Sequence, residues 1–129
     1  MNPPCNPLHI LIVDDEDDMC WVLQRIVESE GHSSKAATSG HAALRLLENE
    51  LFHLAFVDAK LPDMEGIDLV ASLRSLRPGL PCVLVSGYLY DDDDLVKTSL
   101  ATQLISGFIE KPFLLAQVRD AMRRVSPAS

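Results

Sequence analysis

Short apolar runs alternate with amphipathic segments along this chain. The runs His9–Val13 and 54–57 are rich in branched aliphatic residues and too short for helices, so each is predicted to be a strand buried on both faces. Weaker runs predict further strands at residues 34–37, 81–86 and 108–109. Between these runs, apolar residues recur at the spacing of helices. The pattern is a strand followed by a helix, repeated five times.

Caps, glycines and prolines mark the predicted helix boundaries. The first helix is expected to run from Asp17 to just before Gly31, and the second to start at Ser39. Pro78 breaks the third helix, and the last is expected to start at Lys111. Parallel strands joined by helices need crossover connections, which cover both faces of the sheet. We therefore predict an α/β fold, a doubly wound (βα)5 three-layer α/β/α sandwich with a five-stranded parallel sheet.

The composition fits one intracellular domain. The 129 residues are 47% hydrophobic, which is enough for one core, and the net charge of -8 argues against a nucleic-acid or anionic-membrane partner. The scattered cysteines fit a reduced cytosol, and no segment resembles a signal peptide or a membrane span, so we expect a cytoplasmic protein. We expect an irregular leader over residues 1–7, one domain over 8–125, and a tail or the start of a linker over 126–129.

Polar residues suited to phosphoryl chemistry stand at the ends of four predicted strands. Asp14 and Asp15 follow the first strand, Asp58 follows the third, Ser86 ends the fourth and Lys111 follows the fifth. Because the carboxyl ends of parallel strands share one edge of the sheet, these side chains are expected to converge on a single crevice.

Three carboxylates in one crevice repel each other unless a cation or protons intervene. Oxygen ligands without a nearby histidine or cysteine suit a hard ion such as Mg²⁺, which also accepts a phosphate oxygen. A carboxylate beside a metal ion and the Lys111 ammonium can act as the nucleophile that accepts a phosphoryl group. The Ser86 hydroxyl can donate a hydrogen bond to that group. The strand ends therefore predict a site for phosphoryl transfer.

Four motifs contain these residues. They are Leu11-Ile12-Val13-Asp14-Asp15-Glu16, Val57-Asp58-Ala59-Lys60-Leu61-Pro62-Asp63-Met64-Glu65-Gly66, Val85-Ser86-Gly87 and Phe108-Ile109-Glu110-Lys111-Pro112-Phe113. With them, the sequence resembles the response-regulator receiver domain, the CheY-like module of two-component signalling, from His9 to Val125. One motif would be a weak signal, whereas all four in this order are highly specific. The resemblance implies the flavodoxin-like strand order 2-1-3-4-5.

The resemblance implies a phosphorylation-controlled switch of a phosphorelay, a signalling protein rather than a classical enzyme. Asp58 would accept phosphate from a phosphohistidine of a sensor histidine kinase or phosphotransfer protein, giving an aspartyl phosphate. Asp14, Asp15 and Asp58 would hold Mg²⁺ (or Mn²⁺), and Lys60 would add its backbone carbonyl. Lys111 would pair with the phosphoryl group.

The resemblance also implies how the signal leaves the site. Ser86 would reorient to bind the phosphoryl group and let Phe108 move inward, which shifts the surface of helix 4, strand 5 and helix 5. A downstream protein or an output domain outside this sequence would read that surface, and homodimerisation through it is left open. No DNA-binding segment lies within these residues. We further hypothesise that Lys60 and Tyr88 flank the phosphoryl group and limit the approach of water, tuning the phosphate's lifetime.

Other polar residues are placed outside the predicted site. Glu16 is expected to favour the positive end of the first helix, and the acidic run at residues 91–94 to cap and solvate the fourth. The histidines show neither ligand spacing nor an acidic partner pattern, so each is expected to be structural or exposed.

Three other functions are weighed against the switch. A degenerate receiver would act as a phosphorylation-independent protein-interaction module, but the acid, hydroxyl and lysine positions are intact. A flavin-binding electron carrier would need a phosphate-binding loop after the first strand, where the acids at residues 14–18 would repel a flavin phosphate. An aspartate-nucleophile phosphatase would need a DxD arrangement that the first strand lacks.

Overall fold

Strands and helices alternate throughout the part of the chain that the structure, a computed structural model, describes: residues 7–89 and 93–125. The strands are β1 (His9–Val13), β2 (Ser33–Ala37), β3 (Leu54–Asp58), β4 (Cys82–Ser86) and β5 (Gly107–Glu110). The helices are α1 (Asp17–Ser29), α2 (Gly40–Asn49), α3 (Gly66–Leu76), α4 (Asp94–Ala101) and α5 (Leu115–Val125). The strands form one parallel sheet in the order β2-β1-β3-β4-β5, which confirms the predicted fold and strand order.

The two faces of the sheet carry separate apolar clusters, because successive strand residues point to opposite sides. In β1, Leu11 and Val13 contribute to the cluster that includes residues of α2 and α3, whereas Ile10 and Ile12 contribute to the cluster that includes residues of α1 and α5. The central strand β3 is buried along its whole length. This arrangement is the expected three-layer sandwich.

Several helix boundaries match the local signals in the sequence. Gly31 has φ 85°, a left-handed conformation that glycine adopts without strain, and it follows the end of α1. Ser39 caps α2 by accepting a hydrogen bond from the N–H of Ala42. Helix α3 ends before Pro78, as predicted.

The predicted start of the last helix at Lys111 is wrong. Helix α5 begins at Leu115, because the Lys111 N–H still donates to the Ser86 carbonyl and so continues the sheet ladder. The side chain of Gln117 then accepts the N–H of Leu114 just before the helix. Lys111 is therefore held by the sheet rather than by a helix.

The acidic run at residues 91–94 is only partly described, because residues 91 and 92 lie outside the described part of the chain. Asp93 occupies the N-cap position of α4 but makes no side-chain hydrogen bond to the helix end, so the expected side-chain cap is not observed there. The expected leader, apart from Pro7, and the expected tail also lie outside the described residues. Among the described residues, every helix is too short or too polar to cross a membrane.

Candidate functional site

The predicted site residues meet at the carboxyl edge of the sheet. Asp14 directly follows β1 and donates its N–H to the carbonyl of Ala37 in β2. Asp58 is the last residue of β3 and Ser86 is the last residue of β4, so each belongs to its strand rather than following it. Lys111 follows β5. Because β1, β3, β4 and β5 are neighbours in the sheet, four distant segments present these groups side by side.

Lys111 links two of the carboxylates. Its Nζ lies 2.9 Å from Asp14 Oδ2 and 3.6 Å from Asp58 Oδ2. All three side chains are well shielded, with exposed fractions of 15% for Lys111, 2% for Asp14 and 7% for Asp58. Burial alone would lower the pKa of Lys111, but its hydrogen bond to Asp14 and the two carboxylate charges outweigh burial and raise it. The lysine is thus held in its charged form.

Asp58 lies in an environment that disfavours its negative charge. Burial first, and then the neighbouring charge of Asp14, raise the pKa of Asp58 from 3.8 to about 6. The Lys111 ammonium and the backbone N–H of Lys60 act in the opposite direction without cancelling this shift. A further positive charge beside Asp58 would favour the ionised, nucleophilic carboxylate.

A group of three carboxylates stands beside this ion pair. Ligand oxygens of Asp14, Asp15 and Glu16 all lie within 4.8 Å of one another, and the backbone N–H of Glu16 donates to Asp14 Oδ1 over 2.9 Å. Asp15 and Glu16 are exposed, whereas Asp14 is buried. The sequence reasoning that left Glu16 out missed its place in this group, and Asp58 does not belong to the group. An all-oxygen donor set of this kind fits a hard divalent cation.

Ser86 and Phe108 lie on the neighbouring strands β4 and β5, where Phe108 pairs with Leu84 and Ser86 pairs with Glu110. Ser86 is fully buried, and its Oγ accepts hydrogen bonds from the backbone N–H groups of Tyr88 and Leu89, each over 2.9 Å. Phe108 is half-buried and packs against the cluster that includes Leu84. The hydroxyl therefore organises the loop after β4, and a serine hydroxyl that accepts hydrogen bonds can also donate its own hydrogen to a further acceptor.

Lys60 and Tyr88 stand together at the rim. The Lys60 Nζ lies 5.9 Å from the centre of the Tyr88 ring, within cation–π range, and Tyr88 is 73% exposed. The two side chains come from the loops after β3 and β4, so their contact joins these two loops at the carboxyl edge of the sheet.

The loop between β3 and α3 requires a glycine at position 66, which the sequence analysis named only as part of a motif. A Cβ atom on Gly66 would lie 2.1 Å from the backbone oxygen of Asp58. The Gly66 N–H also donates to the carbonyl of Ala59 over 2.7 Å. Only glycine allows the chain to return this close to the end of β3.

Two of the histidines, for which the sequence shows no acidic partner pattern, have acidic partners in the fold. His9 Nε2 lies 2.8 Å from Glu50 Oε1, and the His41 ring contacts the carboxylate of Asp63. Both partners are more than 20 residues away in sequence, at separations of 41 and 22, so no local spacing could reveal them.

Comparison with known proteins agrees with this geometry. The family model described as the response regulator receiver domain matches residues 10–123. The transcriptional regulatory protein GlrR of Escherichia coli (strain K12) is 30% identical over 127 residues, covering 95% of this chain and 28% of that protein. The response regulator SaeR of Staphylococcus aureus (strain USA300) is 29% identical over 121 residues, covering 91% of this chain and 51% of that protein. This chain thus spans about a quarter to a half of these relatives.

Two solved receiver structures resemble this chain over nearly their full length. A CheY-like response regulator receiver domain protein from Methanospirillum hungatei JF-1 has a TM-score of 0.83 and 31% identity, covering 92% of this chain and 93% of that one. The receiver domain of NtrX from Brucella abortus has a TM-score of 0.80 and 29% identity, covering 93% of this chain and 99% of that one.

Proposed function

Because this chain belongs to the response regulator receiver domain family, a family of phosphorylation-controlled signalling domains, we propose that it is a switch phosphorylated on Asp58. The observation that carries the proposal is the buried contact of Lys111 with both Asp14 and Asp58 at the carboxyl edge of the sheet. The proposed unit is the domain over residues 8–125, with residues 1–7 as a leader and 126–129 as a tail or the start of a linker.

In the proposed reaction, a carboxylate oxygen of Asp58 attacks the phosphorus of a phosphohistidine on a sensor histidine kinase or phosphotransfer protein. An O–P bond forms on Asp58 as the N–P bond breaks, and the released histidine takes up a proton. The Lys111 ammonium balances the charge of the transferred group. The chain promotes its own phosphorylation, yet it acts as a signalling protein rather than as a classical enzyme.

The carboxylates of Asp14, Asp15 and Asp58 and the backbone carbonyl of Lys60 would hold Mg²⁺ (or Mn²⁺). The donor set fits such an ion, since it offers oxygen atoms only and since burial, followed by the charge of Asp14, raises the pKa of Asp58, a shift that a nearby cation would oppose. When bound, the ion supplies charge neutralisation for the phosphoryl oxygens. Glu16 lies close enough to Asp14 and Asp15 to act through a water molecule.

Ser86 and Phe108 are the proposed switch. When the Ser86 hydroxyl turns to donate to a phosphoryl oxygen, its hydrogen bonds to the N–H groups after β4 must adjust, and that loop leads toward α4. Phe108 then moves inward from its half-buried position. The surface formed by α4, β5 and α5 changes as a result, and a downstream protein or an output domain reads it, or a second copy of the chain binds to it.

Lys60 and Tyr88 are proposed to tune the lifetime of the aspartyl phosphate. Their cation–π contact joins the loops that follow Asp58 and Ser86, so the pair would limit the approach of a hydrolytic water molecule to the phosphoryl group. We also place the protein in the cytoplasm, where its phosphodonor would be found.

Phosphorylation with a small donor tests the proposal. The purified protein is incubated with acetyl phosphate and Mg²⁺, with EDTA in place of Mg²⁺ as a control, and its intact mass is compared with that of Asp58→Asn. We expect one added phosphoryl group in the wild type only when Mg²⁺ is present, and none in the variant. A wild type that gains no phosphoryl group would instead favour a phosphorylation-independent interaction module.

A further inference from the structure

The segment that leaves Asp58 folds into a small closed loop before α3 begins. Lys60 and Glu65 pair as an isolated antiparallel bridge, and the N–H of Leu61 donates to the carbonyl of Met64 over 3.1 Å. The Gly66 N–H closes the base of the loop on Ala59. These bonds fix the loop's internal shape, and the N–H of Ala59 ties the base of the loop to the Val85 carbonyl over 2.8 Å, but none of them ties the tip of the loop to another element.

The tip of this loop is bound to the N-terminus of α2. One carboxylate oxygen of Asp63 accepts the N–H of Gly40 over 2.9 Å, and the other accepts the N–H of His41 over 3.0 Å. The His41 ring contacts the same carboxylate. These backbone N–H groups, at the positive end of a helix, lower the pKa of Asp63 to about 2, so the carboxylate is charged throughout the neutral range.

Packing at the same point fits the loop closely to α2. A Cβ atom on Gly40 would lie 2.4 Å from the sulfur of Met64, the residue after Asp63. The thioether therefore occupies the space that any larger residue at the start of α2 would fill. A charged and an apolar contact thus tie neighbouring loop residues to one helix end.

We propose that Asp63 is a positioning residue, which caps α2 from a distance and thereby holds the loop that presents the Lys60 carbonyl to the metal site. This inference rests on the proposed function, because it assigns Asp63 a role in the Mg²⁺ affinity of that same site. Among the hydrogen bonds and ion pairs of the described residues, the Asp63 carboxylate has only Gly40 and His41 as partners, so it acts on the site through the closed loop.

The alternative hypothesis is that Asp63 only stabilises α2. Another residue at the same helix end provides a matched control for this hypothesis. Ser39 caps the same helix end, accepting the N–H of Ala42 over 3.1 Å through its own hydroxyl. Ser39 has no bond to the loop among the hydrogen bonds of the described residues. Ser39→Ala therefore removes a cap from α2 without releasing the loop, whereas Asp63→Ala does both.

Two measurements on the 129-residue chain separate these roles. Titration calorimetry with MgCl₂ alone gives the Mg²⁺ affinity, and amide hydrogen exchange in EDTA gives the protection of the loop N–H groups of Leu61 and Gly66. We expect Asp63→Ala to weaken Mg²⁺ binding by about tenfold or more, as loss of supporting contacts around metal ligands generally does. We expect it also to speed loop exchange severalfold, while Ser39→Ala leaves both values near those of the wild type.

Equal effects of the two variants on affinity and on loop exchange would overturn the proposal. If Asp63→Ala does not fold, Asp63→Asn is compared in its place, because it keeps one acceptor oxygen and loses the charge. A wild type that binds no Mg²⁺ would contradict the proposed function. The exchange comparison, made without metal, would still decide whether Asp63 holds the loop.

Discussion

Replacing Asp58 with asparagine should stabilise the metal-free protein above about pH 6, although it removes the proposed acceptor. The Asp58 side chain is 7% exposed, and Lys111 lies nearer to Asp14 than to Asp58, at 2.9 Å against 3.6 Å. Asparagine has nearly the same shape and carries no charge. The substitution therefore removes the charge that burial and Asp14 disfavour, while it leaves the Lys111–Asp14 pair in place.

The magnitude follows from the pKa of Asp58, which folding raises from 3.8 to about 6. A raised carboxyl pKa means that the folded state binds the proton more tightly, so this contribution to stability is fully present below pH 3.8 and is lost as the pH rises through about 6. At about 1.4 kcal/mol for each pH unit, the ionised carboxylate costs up to about 3 kcal/mol at pH 8. We expect Asp58→Asn to gain roughly 1–3 kcal/mol there.

Urea unfolding in EDTA, followed by circular dichroism from about pH 8 down to about pH 5, measures the gain directly. The variant's advantage should shrink as the pH falls, and saturating Mg²⁺ should reduce it at high pH by stabilising the wild type. Asp120→Asn removes an exposed acid on α5 and should change the free energy of unfolding by less than about 0.5 kcal/mol. An Asp58→Asn protein that is no more stable than the wild type at pH 8 would refute the electrostatic reasoning.

Three further outcomes are expected. Gly66→Ala should cost roughly 3 kcal/mol or more in urea unfolding, because its Cβ would collide with backbone, whereas Gly79→Ala, with nothing within 4 Å, should change stability by under about 1 kcal/mol. His32→Ala should lower the free energy of unfolding by about 1–3 kcal/mol near neutral pH, since it leaves the buried Leu8 N–H without its acceptor at 2.8 Å; an unchanged value would contradict that bond's importance. Tyr88→Ala should speed loss of the phosphoryl group, measured by intact mass over time, and an unchanged rate would remove Tyr88 from the proposed tuning pair.

The sequence predicted the fold because local and global signals agree. The buried run of β3 and the caps at Gly31 and Ser39 each favour the element that the structure contains. Helix α5 was misplaced because periodicity does not reveal that the N–H of Lys111 still pairs with Ser86 across the sheet. Such a bond depends on the neighbouring strand, which lies far away in sequence.

The sequence was sufficient to predict which residues meet in the candidate site, but it was not sufficient to predict which of them form ion pairs and hydrogen bonds with each other. Strand ends and motifs placed Asp14, Asp58 and Lys111 together, since parallel strands share an edge. Only the distances in the structure show that Lys111 lies closer to Asp14 than to Asp58. The cap that Asp63 provides to α2 joins segments more than 20 residues apart, at a separation of 23 for Gly40, and no spacing rule could find it.

Chemical localisation of the phosphoryl group tests the central claim most directly. After incubation with acetyl phosphate and Mg²⁺, sodium borohydride reduces an acyl phosphate to the alcohol, and peptide mass spectrometry then finds the residue that was modified. We expect homoserine at position 58 in place of Asp58, and no such product in EDTA. Reduction at Asp14 or Asp15, or no reduced residue at all, would contradict the assignment of Asp58 as the phosphoryl acceptor.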